Sequence, residues 1–266
     1  IDKIIKAKGK NRIDVIIAGP PCQGFSLTGT RKENDERNTL FNAVFELSKK
    51  LNPQAIIIEN VQGILNLYKG KAKKEILELC EENGYNCSPK LLYAPEFGVP
   101  QIRKRVFFVA IKKYLGIFEF PEPSHKSIDF IGTKEAIGDL PTLEYNLGAE
   151  SQKYDKKPFS DYQIMMRKNC HILNNHVGTQ HTKEVIEVIS QVPEGGNHKD
   201  LPPGVGDSRK FNEAWTRYHS EKPSKTIDTG HRNHFHYKFN RVPSVRENAR
   251  LQSFPDDFAF LGTKTQ

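Results

Sequence analysis

The chain has 266 residues, of which 40 are lysine or arginine and 32 are aspartate or glutamate, so its formal net charge is +8. This length is enough for one large domain or two modest ones, and we expect two. No apolar run has the length of a membrane span and no secretory signal opens the chain, so we expect a cytoplasmic protein without a membrane partner. The positive charge favours a polyanionic partner, although many basic surfaces are only solvated.

The first predicted strand is the apolar run at residues 13–18, and a stiff turn follows it. Gly19-Pro20-Pro21 ends the strand abruptly, and Cys22 comes directly after. Open α/β sheets bind ligands at the carboxyl ends of their parallel strands, so we expect Cys22 at such a crevice. The prolines restrict the backbone and leave its carbonyl groups free to accept bonds from a ligand. Cys22 is therefore a candidate nucleophile, with a buried structural cysteine as the alternative.

The next two predicted elements bring a carboxyl group towards Cys22. Apolar residues at helical spacing predict a helix over residues 39–51 with Thr39 as its N-cap. A second buried strand, at residues 55–58, runs directly into Glu59. Because consecutive parallel strands end at the same edge of a sheet, we expect Glu59 beside Cys22. The alternative for Glu59 is a capping carboxylate for the segment that follows.

The following elements lead to a loop that is dense in charge. They are a helix over residues 75–83 and strands over residues 85–93 and 106–111. The connection between the two strands carries Gln101, Arg103 and Arg105. Charged residues at the start of a strand often protect a sheet edge, so by themselves they do not establish a site.

The sequence pattern changes near residue 121, where periodic helices and strands become hard to trace. We therefore divide the chain into a catalytic α/β domain at 1–120, an irregular second domain at 121–240 and a return segment at 241–266. Basic and aromatic residues alternate through residues 215–238, a pattern typical of nucleic-acid binding. The alternative is that these aromatic side chains cover a small core.

The cysteines and histidines do not indicate a metal site. The four cysteines, none of which belongs to a CxxC pair, are Cys22, Cys80, Cys87 and Cys170. This pattern is typical of a reducing compartment. The clustered histidines are His231, His234 and His236. Imidazoles on a basic loop are more often surface groups than metal ligands, so we predict no metal.

Four short segments resemble, in order, the motifs of the bacterial DNA (cytosine-5)-methyltransferases. They are Gly19-Pro20-Pro21-Cys22-Gln23-Gly24-Phe25-Ser26, Glu59-Asn60-Val61, Gln101-Ile102-Arg103-Lys104-Arg105 and Arg250-Leu251-Gln252-Ser253-Phe254-Pro255. The variable region of the family falls between the last two segments. The resemblance implies an α/β fold, with part of the Rossmann-like sheet of S-adenosylmethionine-dependent methyltransferases and a small irregular target-recognition domain at 121–240.

The resemblance also implies an activity, the transfer of a methyl group from S-adenosylmethionine to carbon 5 of a flipped-out cytosine in a specific double-stranded DNA sequence. In this chemistry Cys22 adds covalently to carbon 6 of the ring, and Glu59 holds ring nitrogen 3 and the exocyclic amine. Arg105 bonds the carbonyl oxygen of the base, while Arg103 steadies the site or the DNA. An enzyme of this type is expected in a restriction-modification system, in the cytoplasm and associated with the nucleoid.

Further residues complete the predicted site. The carbonyl of Pro21 accepts a bond from the exocyclic amine, and Ser26 binds a phosphate. The other candidates for DNA binding are Gln23, Arg37, Gln101 and Arg232. The candidates for contact with the methyl donor are Pro20 and Asn60. The polar stretch at 27–38 is interpreted as a lid that closes over the substrate, with a solvated connector as the alternative.

The remaining donor-binding motifs of the family are expected outside this sequence. Its opening glycine-rich turn and its acidic donor-binding residues would lie before Ile1, and its closing asparagine motif would lie after Gln266. We therefore expect flanking segments of a longer monomeric chain, or a complementing polypeptide, to supply them. Two other functions stay open: a non-catalytic DNA-binding remnant or subunit, and an unrelated α/β thiol enzyme such as a cysteine hydrolase.

Overall fold

A computed structural model describes residues 1–21, 40–205, 214–228 and 233–262. Internal contacts divide the chain into two compact units. The first comprises Ile1–Tyr93 and Lys104–Glu122, and the second comprises Ala94–Arg103 and Pro123–Gln266. The mixed α/β architecture with a partial sheet confirms the predicted fold class. The functional division into domains at 1–120, 121–240 and 241–266 stays a prediction.

The first unit is built on a four-stranded sheet with the strand order β1-β2-β4-β3. Its strands are β1 (Val15–Ala18), β2 (Ala55–Val61), β3 (Tyr85–Tyr93) and β4 (Lys104–Lys112). β1 and β2 are parallel, whereas β4 runs antiparallel to both β2 and β3. The sequence predicted all four strands, and the structure confirms that the first two are parallel.

The first unit has three α-helices in its described residues. They are α1 (Asp2–Lys8), α2 (Phe41–Leu51) and α3 (Lys71–Glu82). α2 confirms the predicted helix, and its N-cap is Leu40. Thr39, which the sequence predicts in that role, lies outside the described residues. α3 begins one turn earlier than predicted. It follows Gly70, whose φ of +73° belongs to the left-handed region and separates α3 from the preceding turn.

The three helices contribute apolar side chains to one core on one face of the sheet. Its largest buried members are Tyr85, Phe41, Phe45, Phe108, Ile56, Ile58, Ile64 and Ile76. Side chains alternate between the two faces of a strand, so Val15 and Ile17 point to the opposite face. There they are 47% and 76% exposed. The face opposite the helices therefore stays accessible near β1.

The second unit consists of short elements joined by long irregular segments. They are α4 (Thr133–Ile137), β5 (Ser151–Gln152), α5 (Asp161–Met166), β6 (Leu173–Asn174), α6 (Lys183–Gln191), β7 (Thr216–Arg217), β8 (His234–Phe235) and α7 (Val245–Arg250). β5 pairs with β6, and β7 pairs with β8. The predicted loss of periodicity beyond residue 121 is consistent with this architecture.

Part of the stretch interpreted as a nucleic-acid surface lies in the core of the second unit. Arg217, Tyr218, Phe235 and His236 are all buried. The Arg217 guanidinium donates to the carbonyl oxygens of Ile189, Val192, His236 and Phe239. For these four residues the interpretation as an exposed DNA surface is wrong, and the alternative of a small core is correct. Their hydrogen bonds and apolar contacts stabilise the fold.

Buried ion pairs hold the return segment together, and one of them joins it to the rest of the second unit. Arg250 donates to Asp256 through Nε at 2.8 Å and Nη2 at 2.6 Å, and to Asp139 through Nη1 at 2.5 Å. Arg241 binds both carboxylate oxygens of Glu247 at 2.7 Å. Bidentate geometry of this kind makes strong, directional pairs. Asp139 and Arg250 are separated by 111 residues, so their ion pair joins two distant parts of the chain.

No helix in the described parts of the chain combines the length and apolar character needed to cross a membrane. Within the same residues, His, Cys, Asp and Glu side chains form no group of three or more that could hold a metal ion. His231, one member of the sequence cluster, lies outside the described residues. His234 instead stacks on Tyr218, with ring centroids 5.3 Å apart.

Candidate active site

The parallel pairing of β1 and β2 brings the glycine-proline turn next to Glu59. Ala18 lies opposite Ile58, so the following residues, Gly19 and Glu59, are neighbours at the strand ends. A Cβ atom added to Gly19 would lie 3.8 Å from Oε2 of Glu59. Glu59 therefore lies beside Gly19, at the start of the turn that leads to Cys22.

Asn60 ties the turn to β2. Its side-chain Nδ2 donates to the carbonyl oxygen of Pro20 at 3.2 Å, and its Oδ1 accepts from the backbone N–H of Val61 at 2.8 Å. Asn60 is buried. The expectation that the turn carbonyls are free for a ligand is therefore wrong for Pro20. Contact of Pro20 and Asn60 with a methyl donor stays a prediction.

Arg105 pairs with Glu59 across β2 and β4. Arg105 lies opposite Val61, two residues from Glu59, and residues two apart on a strand share a face of the sheet. Nε of Arg105 lies 2.9 Å from Oε1 of Glu59, and Nη1 donates to the carbonyl of Lys104 at 2.8 Å. The Arg105 and Glu59 side chains are 22% and 35% exposed. The two side chains thus form an ion pair and stay partly exposed to solvent.

This arrangement can bind a flat polar ring at the open face of the sheet. The two oxygens of Glu59 differ: Oε1 faces Arg105, and Oε2 lies on the side of Gly19. A carboxyl group and a guanidinium side by side offer acceptors and donors along one line. They therefore match a heterocycle that presents both donors and acceptors along one edge.

Gln101 and Arg103 belong to the second unit. Gln101 is fully buried, and neither polar atom of its amide has a hydrogen-bond partner among the described residues. The carbonyl of Arg103 accepts from the N–H of Ala94 at 2.9 Å and closes the base of the loop. Direct contact of Gln101 with DNA, and the steadying role of Arg103, stay predictions.

Several predicted site residues lie outside the described ranges. They are Cys22, Gln23, Ser26, Arg37 and Arg232, together with the proposed lid at 27–38. Pro21 is described and exposed at the end of the turn. The nucleophile, the phosphate contacts and the lid therefore stay predictions from the sequence.

A model of the family described as C-5 cytosine-specific DNA methylase matches residues 1–266 of this chain. The chain belongs to this family. It is 38% identical to the type II methyltransferase M1.HphI of Haemophilus parahaemolyticus over 270 residues, which cover 99% of this chain and 65% of that protein. It is 35% identical to the type II methyltransferase M.DdeI of Desulfomicrobium norvegicum over 271 residues, covering 95% of this chain and 65% of that protein.

A solved structure shares the fold of this chain. The match is a proposed DNA modification methyltransferase encoded within a prophage (E. coli), with a TM-score of 0.72 and 28% sequence identity. It covers 97% of this chain and 74% of that chain. The family resemblance and the fold that it implies are thus confirmed. The chain spans 65% of the length of the two curated relatives named above.

Sequence reasoning missed two contacts of the predicted site residues. The first is the hydrogen bond from Asn60 to the carbonyl of Pro20, since the sequence predicts only a contact of Asn60 with the methyl donor. The second is the contact of Ser224 with the residues around Gln101. A serine between a proline and a lysine gives no local signal, because its partner Pro100 lies 124 residues away.

Proposed function

We propose that this methylase chain carries the base-binding and nucleophilic part of a DNA methyltransferase. The enzyme would transfer a methyl group from S-adenosylmethionine to carbon 5 of cytosine in a specific sequence of double-stranded DNA. The observation that carries the proposal is the Glu59–Arg105 pair beside the turn that leads to Cys22. The target base must leave the duplex to meet these groups, at a cost of a few kcal/mol.

The proposed chemistry overcomes the weak nucleophilicity of carbon 5 by covalent addition at carbon 6. The Cys22 thiolate forms a bond to carbon 6, and the electrons of the carbon 5–carbon 6 double bond move into the ring. A proton shared between Glu59 and ring nitrogen 3 limits the developing negative charge. Arg105 donates to the carbonyl oxygen of the base and stabilises the same charge. Carbon 5 of the adduct then acts as a nucleophile.

The described residues supply only part of a binding site for the proposed methyl donor. S-adenosylmethionine would supply an electrophilic methyl group to carbon 5. Asn60 is buried, with its amide engaged by Pro20 and Val61. Neither Pro20 nor Asn60 carries a carboxylate for the ribose hydroxyls of the donor. The donor site is therefore incomplete in the part of the chain that the structure describes.

A further segment, from a longer monomeric chain or a complementing polypeptide, would complete the donor site beside β1. β1 has one neighbour in the described sheet, and the apolar side chains of Val15 and Ile17 are exposed on it. Proteins seldom leave an apolar edge strand uncovered. A parallel strand added at this edge would end beside Gly19, and α/β sheets bind ligands at the carboxyl ends of their strands.

The addition step can be tested without a methyl donor. Protonation of carbon 5 in the adduct, followed by loss of a carbon 5 proton and of Cys22, exchanges the carbon 5 hydrogen with water. Duplex DNA of mixed sequence that contains [5-³H]cytosine is incubated with the protein, and the tritium released into water is measured. We expect release by the wild type and background release by Cys22→Ala.

Cys170→Ala is the matched control, because its thiol lies in the second unit and is also a free cysteine. It should release tritium at the wild-type rate. Equal release from wild type and Cys22→Ala would refute the proposed nucleophile. DNA binding without any release would instead support a non-catalytic DNA-binding protein.

The cellular role that we propose is that of a modification enzyme in a restriction-modification system, acting on nucleoid DNA in the cytoplasm. The type II methyltransferases among its relatives support this role. Expression in a host without cytosine methylation, followed by bisulfite sequencing, would identify the recognised sequence. Methylation at unrelated cytosines would contradict a sequence-specific enzyme.

A further inference from the structure

One residue holds the backbone on both sides of Gln101. The backbone N–H of Ser224 donates to the carbonyl oxygen of Pro100 at 2.9 Å, and its hydroxyl donates to the same oxygen at 3.0 Å. The carbonyl of Ser224 accepts from the N–H of Ile102 at 2.8 Å. Ser224 thus pairs with Gln101 as in a parallel β-bridge and adds a side-chain bond to it.

The segment that carries Ser224 is anchored to the start of α4. The N–H of Thr133 donates to the carbonyl of Lys222 at 3.0 Å. Gly132 permits this close approach, since a Cβ there would lie 2.5 Å from the carbonyl oxygen of Ser220. Ser224 is itself buried. The bonds around Gln101 are therefore made from a position that α4 holds in place.

The side chain of Gln101 does not secure its own position. It is fully buried, and its amide has no hydrogen-bond partner among the described residues. An unpaired buried amide destabilises the conformation that contains it. The conformation around Gln101 therefore depends on hydrogen bonds to the flanking backbone. Ser224 makes three of them, two through its own backbone and one through its hydroxyl.

We propose that Ser224 is a positioning residue of this chain, which holds the loop that carries Gln101 and Arg103 in the conformation needed for addition to cytosine. The inference rests on the function proposed above. Ser224 acts through Pro100 and Ile102, and its hydroxyl is occupied by the carbonyl of Pro100. A carbonyl oxygen has two lone pairs, and Ser224 engages both in this case.

The test compares Ser224→Ala with Ser48→Ala. Ser48 is a buried serine of α2 whose hydroxyl donates to the carbonyl of Phe45 at 2.8 Å, so both substitutions remove a buried hydroxyl-to-carbonyl bond. Hydrogen exchange of the Ile102 amide reports on the loop, and tritium release from [5-³H]cytosine DNA reports on the chemistry. Thermal unfolding shows whether the two variants lose similar stability.

For Ser224→Ala we expect the Ile102 amide to exchange about fivefold faster, the change that corresponds to one lost hydrogen bond. The maximal rate of tritium release should fall by a similar factor, with the half-saturating DNA concentration within twofold of wild type. Ser48→Ala should change neither rate. Unchanged Ile102 exchange in Ser224→Ala, or an equal loss of tritium release in Ser48→Ala, would overturn the proposal.

Failure of the proposed function gives a different result. If the wild type releases no tritium, that function is refuted, and a positioning role for Ser224 in it is refuted as well, even if the Ile102 amide exchanges faster in Ser224→Ala. If the wild type releases tritium and Ser224→Ala does so at the same maximal rate, only the positioning role is refuted.

Discussion

Replacing Arg105 by methionine should greatly lower the rate of addition to cytosine while leaving the stability of the fold nearly unchanged. The side chains of Arg105 and Glu59 are 22% and 35% exposed, and accessible ion pairs contribute about 0.2–1 kcal/mol to stability. Methionine also preserves much of the aliphatic packing of the arginine stem. Loss of a hydrogen-bond donor to a developing negative charge, in contrast, lowers a rate by about 100- to 1000-fold.

The assays are urea unfolding and tritium release from [5-³H]cytosine DNA. Arg12→Met is a matched control, because Arg12 lies in the same unit and its Nε pairs with Asp14 at 2.7 Å. The control should change neither stability nor release. The reasoning about Arg105 is wrong if Arg105→Met keeps more than a third of the wild-type release, or if Arg12→Met loses as much.

Four further predictions follow from other contacts. Arg250→Met removes the shared partner of the buried carboxylates Asp139 and Asp256, which keep Arg167 and Arg246, so urea unfolding should show a loss of about 3 kcal/mol, the lower end for a broken buried pair, and a loss below about 1 kcal/mol would contradict the role of the network. Burial lowers the pKa of His236 to about 3, and its Nδ1 already accepts from the N–H groups of Lys238 and Phe239. The unfolded chain therefore binds more protons below about pH 6.5, and the urea midpoint should fall as the pH drops from 6.5 towards 3; a midpoint that stays constant from pH 7 to pH 4 would exclude this linkage. Gln101→Met should keep or raise the melting temperature, because it removes an unpaired buried amide, and a large decrease would show that the amide has a partner in the folded protein. With the donor-binding segment supplied, the wild type and S-adenosylmethionine should form a denaturation-resistant adduct with 5-fluorocytosine DNA, whereas an adduct of equal yield from Cys22→Ser would exclude Cys22 as the attacking group.

The sequence predicted the strand ends of the candidate site because their signals are local. An apolar run that ends in a polar residue indicates a buried strand and its terminus, and this pattern located both Gly19 and Glu59. The antiparallel direction of β4, and with it the pairing of Arg105 with Glu59, was not predicted. Strand direction depends on the course of the whole chain, which no short window contains.

The second unit was less predictable because its stabilising contacts are distant in sequence. Arg217 and His236 are polar, and their composition alone gave the impression of a DNA-binding surface. Their burial depends on partners such as the carbonyls of Ile189 and Val192, which lie in and after α6. Composition counts residue types, but it does not tell which side of an element faces the core.

The core and the candidate site lie on opposite faces of the sheet. For this reason we expect Arg105→Met to lower the rate of tritium release without lowering the free energy of unfolding. Ile56 and Ile58 point to the face covered by the helices, while Glu59 and Arg105 lie on the other face. Substitutions on the site face therefore remove few apolar contacts, and their effect on unfolding should stay small. Asn60 is the exception, because it is buried and bonds the Pro20 carbonyl. Asn60→Ala should thus lower both stability and tritium release, whereas Glu59→Gln should lower release alone, and comparable losses of stability in the two variants would contradict this separation.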